Sequence, residues 1–241
     1  MSQRNQSLQS AALMARVAGL SYIIYTVAGL YITFGPAPSL STLAGGGADT
    51  AEFEFLFRLG FAAEAVLYTF VAISAAAMYA VLNIISPGVS IMAAFCRLVE
   101  AAMGGTFIVL KYAAFAAITN QDLLAEFSDG ERAGVMGLFA HLHGSALFFL
   151  LIPMAVGGVL FFSLFFRSRF IPRWLSAWGM LTYAIIGCVA AIVILFPALR
   201  ENIMLFFLPG ALFEWVVALW LFFVGINTEH WQGIVKANAH G

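Results

Sequence analysis

The chain has 241 residues, of which 63% are hydrophobic and only 10% are charged, and its mean hydropathy is +0.97. Soluble domains carry about 25% charged residues, so this composition excludes a soluble globular protein and indicates an integral membrane protein. The formal net charge is −1 and the sequence holds no basic patch, which argues against a nucleic-acid partner.

Six hydrophobic segments are long enough to cross a bilayer, because each exceeds the ~20 mostly apolar residues that a transmembrane helix needs. They predict an all-α, polytopic membrane protein with one transmembrane domain over residues 1–241. The first segment follows a polar start, MSQRNQSLQS, and is full length, so we expect a retained helix rather than a cleaved signal peptide. The predicted spans are 14–34, 55–82, 89–118, 134–166, 174–196 and 203–225.

Basic residues outside the spans, or within two residues of a span end, are distributed unevenly between the two sides of this six-span arrangement. One side holds Arg132 and Arg200. The other side holds Arg4, Arg16, Arg167, Arg169, Arg173 and Lys236. The positive-inside rule therefore places both termini in the cytoplasm. The three arginines of the RSRFIPRWL loop at 167–175 satisfy that rule and can also bind anionic lipid headgroups.

Apart from Arg16 at the end of the first span, six ionisable residues other than histidine are embedded in the predicted spans, although a charge near the bilayer centre costs at least ~2.5–3.5 kcal/mol. They are Arg58, Glu64, Arg97, Glu100, Lys111 and Glu214. Three are positive and three are negative, so the set can neutralise itself. At about 1.5 Å per residue, the three glutamates reach the middle of the membrane on three different spans. We interpret the six as a buried polar network and as candidates for ligand or proton binding.

The third span carries its charges on one face. At about 100° per residue, Arg97, Glu100, Gly104, Ile108 and Lys111 fall within about 80° of arc. This stripe must face the bundle, because lipid offers no partner for a charge. We expect Arg97 to lie within reach of carboxylates on its own and neighbouring helices.

Arg58 has two alternative interpretations. Arg58 and Glu64 are about 120° apart on their helix, so they need not share a site. Arg58 can instead pair with Glu54, one turn back, near the outer membrane surface. The sequence leaves both open.

Two histidines enter the fourth span in FAHLHGS. His141 and His143 are about 200° apart on a regular helix, so they cannot both bind one metal ion, and we predict no metal site. His141 shares a face with small residues, which mark close helix packing, and it is therefore the better interior candidate. A hydrogen-bonded structural role and a ligand role both remain open for it. Those small residues are Gly134, Gly137 and Ser145.

Familiar catalytic templates are absent from the sequence. It holds no H-E-x-x-H, no G-x-S-x-G, no glycine-rich nucleotide loop and no cysteine pair at metal-binding spacing. No cofactor and no catalytic residue is assigned on this basis. The embedded glutamates could still supply acid or base groups, so the sequence leaves an enzymatic role open.

Four motifs in chain order resemble a bacterial membrane family known as domain of unknown function 4386. They are FLFRLGFAAE (55–64), FCRLVEAA (95–102), RSRFIPRWLSAWG (167–179) and FEWVVALWLFFVGIN (213–227). The resemblance implies a multi-pass protein of the bacterial inner membrane and carries no established activity. The family signature has arginine in spans two and three, histidine in span four and an acidic residue in the last. Arg58, Arg97 and Glu214 match it, as does either His141 or His143.

Three classes of function fit these residues. The first is small-molecule or proton-linked transport or binding, the second a membrane enzyme acting on a lipid or apolar substrate, the third a purely structural charge network. Intramembrane ionisable residues favour a functional role, whereas a balanced set favours a structural one. We favour the first. The expected partners are membrane lipids and a small-molecule ligand, and homo-oligomerisation is left open.

The predicted orientation can be tested by cysteine labelling. In a background with Cys96→Ala and Cys188→Ala, a Gln121→Cys variant should react with an impermeant maleimide from outside the cell. An Asn238→Cys variant in the tail should react only after the membrane is opened. Reaction of Gln121→Cys from the cytoplasmic side alone would refute the orientation.

Overall fold

The computed structural model describes residues 3–36, 51–119, 126–200 and 207–238. Within these ranges the chain is helical and has no strand, which confirms the all-α prediction. The helices are α1 (Gln3–Phe34), α2 (Ala51–Leu82), α3 (Pro87–Thr119), α4 (Asp129–Ser168), α5 (Arg173–Leu195), α6 (Leu208–Leu219) and α7 (Thr228–Asn238).

Five helices, α1 to α5, are long and apolar enough to cross a membrane. The sixth predicted span is α6 together with a π turn at Trp220–Val224, and it ends at Gly225. The chain then bends by 78° into α7, so that Pro209–Val224 and Thr228–Ala237 form a broken pair. Residues 203–206 of the predicted span lie outside the described residues. The protein is thus a polytopic membrane protein with five straight candidate spans and a sixth, bent one.

The helices extend beyond the predicted spans at several ends. The polar start predicted to precede the first span is helical from Gln3. α4 has 40 residues, about 60 Å of helix, which is roughly twice the ~30 Å hydrocarbon thickness, so it tilts or extends into water. Its first turn is closed by a capping box, in which Ser128 Oγ accepts from the Glu131 N–H. Ser128 is therefore the N-cap of α4.

The six membrane helices form a ring in chain order. Each of α1 to α5 packs along the next, and α6 packs on both α5 and α1 and so closes the ring. Neighbours run antiparallel: on α3 and α4, for example, Phe107 meets His143 while Ala93 meets Gly157. We call the end with residues 83–86 and 169–172 the inner end, and the opposite one the outer end, following the predicted orientation.

Glycine allows two helix pairs to approach closely. A Cβ on Gly19 of α1 would lie 2.8 Å from the carbonyl carbon of Leu221 and 2.9 Å from the oxygen of Ala218. On α4, a Cβ on Gly158 would overlap the Tyr183 ring of α5. Small residues at such crossings are typical of membrane bundles, where packing rather than the hydrophobic effect holds helices together.

The inner end of α6 departs from α-helical geometry. The Gly225 N–H donates to the Trp220 oxygen, five residues back, at 2.9 Å, which defines the π turn. Gly225 itself has φ 80° and ψ −146°, a conformation that only glycine adopts without strain. The bend into α7 therefore depends on this residue.

Replacing Gly19 should destabilise the bundle. The methyl group of Gly19→Ala meets the α6 backbone, which cannot rotate away, so we expect a loss on the order of 1–3 kcal/mol. Gly29→Ala on the same helix is the matched control, because its Cβ would make an ordinary contact, 3.5 Å from Leu67 Cδ1. The melting temperature in detergent should fall for Gly19→Ala and stay level or rise for Gly29→Ala. Equal values for both variants would contradict the close crossing.

Candidate functional site

The charged stripe of α3 faces the interior of the ring. Arg97 and Glu100 are each 3% exposed and Lys111 is 8% exposed. These values agree with the helical spacing of the stripe, since no side chain on a lipid-facing surface would be so enclosed. The three residues occupy two levels, because Lys111 lies eleven residues beyond Glu100, about 16 Å along the helix axis.

The outer level is an ion pair between two helices. Lys111 Nζ of α3 donates to Glu64 Oε1 of α2 at 2.5 Å, and both side chains are buried. The ammonium group also lies 5.4 Å from the centre of the Phe57 ring and 5.6 Å from that of Phe61. The ion pair makes the outer level locally neutral, and the aromatic faces enclose and stabilise the desolvated ammonium group.

Arg58 does not belong to the interior. Its guanidinium donates to Glu54 Oε1 at 2.9 and 2.6 Å, and the two side chains are 55% and 44% exposed. Of the two alternatives that the sequence leaves open, the structure adopts the pair at the outer surface. The predicted balance of three positive and three negative embedded charges is therefore wrong. Arg97 and Lys111 remain as interior cations, against three interior glutamates.

The inner level begins with Arg97 and Glu100, one turn apart on α3. Arg97 Nη1 lies 2.8 Å from Glu100 Oε2, an ion pair between buried groups. The N–H bonds do not point along this contact. Within the described part of the chain, neither Nη atom of Arg97 nor Oε2 of Glu100 makes a hydrogen bond. The guanidinium is instead flanked by two tyrosine rings, Tyr25 at 6.0 Å and Tyr183 at 5.9 Å.

A hydrogen-bonded chain that ends on the last membrane helix lies beside this pair, and the Tyr183 ring, which flanks Arg97, belongs to it. The hydroxyls of Tyr22 on α1 and Tyr183 on α5 are 3.2 Å apart, and Tyr183 donates to Glu214 Oε1 on α6 at 3.2 Å. Because Tyr183 has one proton and gives it to Glu214, the direction is Tyr22 to Tyr183 to Glu214. Glu214 is half-buried, whereas both tyrosines are fully enclosed.

These groups form one site, which we call the central cluster. Four helices supply its side chains, and α4 supplies space, since Gly157 lies against Arg97 and Gly158 against Tyr183. Glu100 and Glu214 each interact electrostatically with Arg97, and the two carboxylates also interact with each other. The cluster thus has one cation and two carboxylates. Its members are Tyr22, Tyr25, Arg97, Glu100, Tyr183 and Glu214.

Tyr68 on α2 lies between the two levels. Its ring occupies the space that Gly104 of α3 leaves, so that a Cβ on Gly104 would overlap it. Tyr68 is one helical turn from Glu64 on α2, and Gly104 is one turn from Glu100 on α3. The Tyr68 phenol therefore interacts electrostatically with both carboxylates. The polar groups therefore continue through the bilayer from the outer pair to the central cluster.

The histidine preference predicted from sequence is wrong. His141 is exposed, whereas His143 is half-buried, contacts Phe107 edge-on at 6.4 Å and interacts with Glu64 and Lys111. The small residues misled the prediction, because a Cβ on Gly134 or Gly137 would meet nothing within 4 Å. These glycines face away from the neighbouring helices, so the side of α4 that bears His141 is not a packing face.

Sequence reasoning missed the tyrosines of the site. Tyrosines near the ends of a span are explained by the aromatic belt at the membrane surface, but Tyr183 lies ten residues into α5. A phenol at that depth needs a hydrogen-bond partner, and this requirement could have identified Tyr183 as a member of the polar site from the sequence. Tyr22, on α1 near mid-membrane, carries the same signal.

The residues offer no metal centre. In the parts of the chain that the structure describes, no group of three or more His, Cys, Asp or Glu residues comes together. Two cavities open at the inner end, one between the α4–α5 and α6–α7 connections and one beside Asn83. Neither includes Glu100 or Glu214 in its lining, so the central cluster is occluded from both.

Removing the cluster's cation should be far more costly than removing an exposed one. Arg97→Ala leaves Glu100 buried without its cation, a loss of about 3–5 kcal/mol. Arg58→Ala, which breaks the exposed pair with Glu54, should cost at most about 1 kcal/mol. Melting temperatures in detergent compare the two. The double variant Arg97→Gln/Glu100→Gln should recover part of the loss. A midpoint for Arg97→Ala equal to that of Arg58→Ala would show that Arg97 is solvated.

Comparison with known proteins places the chain in a family but gives it no activity. No curated protein and no solved structure matches it significantly. One family model, described as a domain of unknown function, matches residues 17–225, which runs from within α1 to Gly225 and includes every member of the central cluster. The chain therefore belongs to the DUF4386 family of membrane proteins.

Proposed function

We propose that the protein binds a proton in the central cluster and couples it to the binding or transport of a small molecule across the bacterial plasma membrane. The observation that carries the proposal is the surplus of carboxylate in the cluster. The proton would reside on Glu100 or Glu214, and Arg97 would hold the remaining carboxylate charge. Tyr22 and Tyr183 would orient the proton and relay it.

Charge balance supports the proposal. With Arg58 paired at the surface, the outer level is neutral and the inner level has Arg97 against Glu100 and Glu214. An uncompensated carboxylate in a medium of low dielectric costs several kcal/mol, which a bound proton or small cation removes.

Unused hydrogen-bonding capacity also supports it. Among described residues, the Tyr25 hydroxyl, both Arg97 Nη atoms and Glu100 Oε2 have no hydrogen-bond partner. Such groups are costly when they are enclosed without a partner. A proton bound to Glu100 would turn one of these carboxylate oxygens into a donor and so change the hydrogen bonds that the cluster can form.

A route for protons runs between the two levels. Glu64, Tyr68 and Glu100 follow one another at roughly one-turn intervals along the α2–α3 interface. Chains of carboxylates, phenols and histidines are the usual proton relays of membrane proteins. His143, beside Glu64, stands at the outer entrance of this route.

The position of the cluster is compatible with transport, because substrate and coupling-ion sites of secondary transporters lie near the bilayer midplane. The cluster joins side chains of α1, α3, α5 and α6, so relative movement of these helices would change its access.

Neutralising Glu214 tests the proposal. Glu214→Gln keeps an oxygen to accept the Tyr183 hydrogen bond but cannot exchange a proton. We expect the parent's melting temperature to fall in a step as the pH rises, because a proton that the folded protein binds more tightly than the unfolded chain stabilises the fold only while it is bound. That step should be reduced or lost in Glu214→Gln while the protein stays folded. Glu54→Gln, which removes an exposed carboxylate, is the control and should keep the parent's profile.

The same comparison can support the structural alternative. If Glu214 only holds helices together, Glu214→Gln should change stability by the same amount at every pH. Profiles of the same shape for parent, Glu214→Gln and Glu54→Gln, whether superimposed or offset, with no shift of the parent by a metabolite library, would reject proton-linked binding.

A further inference from the structure

The larger inner cavity is a site that the central cluster does not use. It has a volume of about 580 Å³ and lies between the α4–α5 connection and the α6–α7 connection. Ligand pockets in proteins commonly measure ~300–1,000 Å³, so it is large enough for a lipid headgroup. It also lies at the inner end of the ring, at the level of the membrane surface rather than its centre.

The chain builds this cavity by joining two loops. The Asn227 N–H donates to the Phe170 oxygen at 2.8 Å, and His230 Nδ1 lies 3.3 Å from the Arg169 oxygen. Arg169 is in the left-handed region at φ 57°, where it ends α4 and turns the chain towards α5. The two connections are thus fixed against each other.

The lining combines basic and apolar groups. Arg169, Arg173 and His230 supply cationic or hydrogen-bonding groups, and no acidic residue belongs to the described lining. Trp220 and Val224 supply an apolar wall at the two ends of the π turn, and Val224 is 61% exposed. Arg173 is held over the Phe166 ring at 5.2 Å.

We propose that this cavity binds the phosphate group of an anionic phospholipid from the inner leaflet. The arginines pair with the phosphate oxygens, for which a guanidinium is geometrically suited. The apolar wall at Trp220 and Val224 accommodates the glycerol and the first part of an acyl chain. Basic pockets beside membrane helices on the cytoplasmic side are the usual setting for such headgroups. A soluble phosphate ester has the same chemistry but makes no use of the apolar wall.

The test compares lipids on the full-length protein in an uncharged detergent. Phosphatidylglycerol in mixed micelles should raise the parent's melting temperature by about 5 °C at a lipid concentration about a hundred-fold above its Kd, and phosphatidylcholine should not. The Arg169→Asn/Arg173→Gln variant should lose most of that shift. Asparagine is chosen at 169 because it tolerates positive φ.

Two further variants separate a specific site from general surface charge. Arg167→Gln removes a neighbouring exposed arginine that does not line the cavity, and it should keep the full shift. Arg169→Lys/Arg173→Lys keeps the charge, so it should fold and keep part of the shift even if the neutral variant does not fold. Equal loss in Arg167→Gln and Arg169→Asn/Arg173→Gln, or equal shifts with both lipids, would overturn the proposal.

Glycerol phosphate without lipid distinguishes the two sources of the phosphate group. A shift much smaller than that from phosphatidylglycerol supports the lipid assignment. A shift of equal size, lost in the same arginine variant, would overturn that assignment in favour of a soluble phosphate ester.

Discussion

The membrane interior cannot solvate a charge, and the arrangement of this bundle follows from that constraint. α3 brings two cations and a carboxylate into the bilayer, and each requires a partner that only protein can supply. Lys111 obtains Glu64 from α2 and the faces of phenylalanine rings. Arg97 has Glu100 on its own helix and tyrosines from α1 and α5 around it. The need for these partners therefore largely determines which helices lie beside α3 and which of their faces contact it.

Tyrosine gives the central cluster a property that further arginines would not. A phenol packs as an aromatic side chain yet offers one donor and one acceptor, so it can enclose a charge without adding another. Tyr22 and Tyr183 therefore extend the hydrogen bonding of Glu214 from α6 to α5 and α1 without adding a charge. In such a site electrostatic interactions are strong, and a small change of charge on one carboxylate is felt by the others. This is a suitable setting for coupling one bound species to another.

The sequence predicted the fold class well because composition and span length are direct consequences of the bilayer. It also predicted the face of α3, since three charges at helical spacing leave one acceptable orientation. Where several orientations were acceptable, it failed. On α4, the glycines near His141 were taken as a mark of contact, but a Cβ on Gly134 or Gly137 would meet nothing within 4 Å, and His143 rather than His141 turns inward. The bend at Gly225 and the π turn before it depend on backbone geometry, which residue type alone does not specify.

The π turn on α6 has a consequence for the orientation of Glu214. Such a turn holds one residue more than an α-helical turn, and it lies between Glu214 and the bend at Gly225. In a continuous α-helix one additional residue would rotate Glu214 by about 100° relative to the bend. Because the π turn contains that residue within a single turn, it helps to set the direction in which Glu214 faces the Tyr183 hydroxyl.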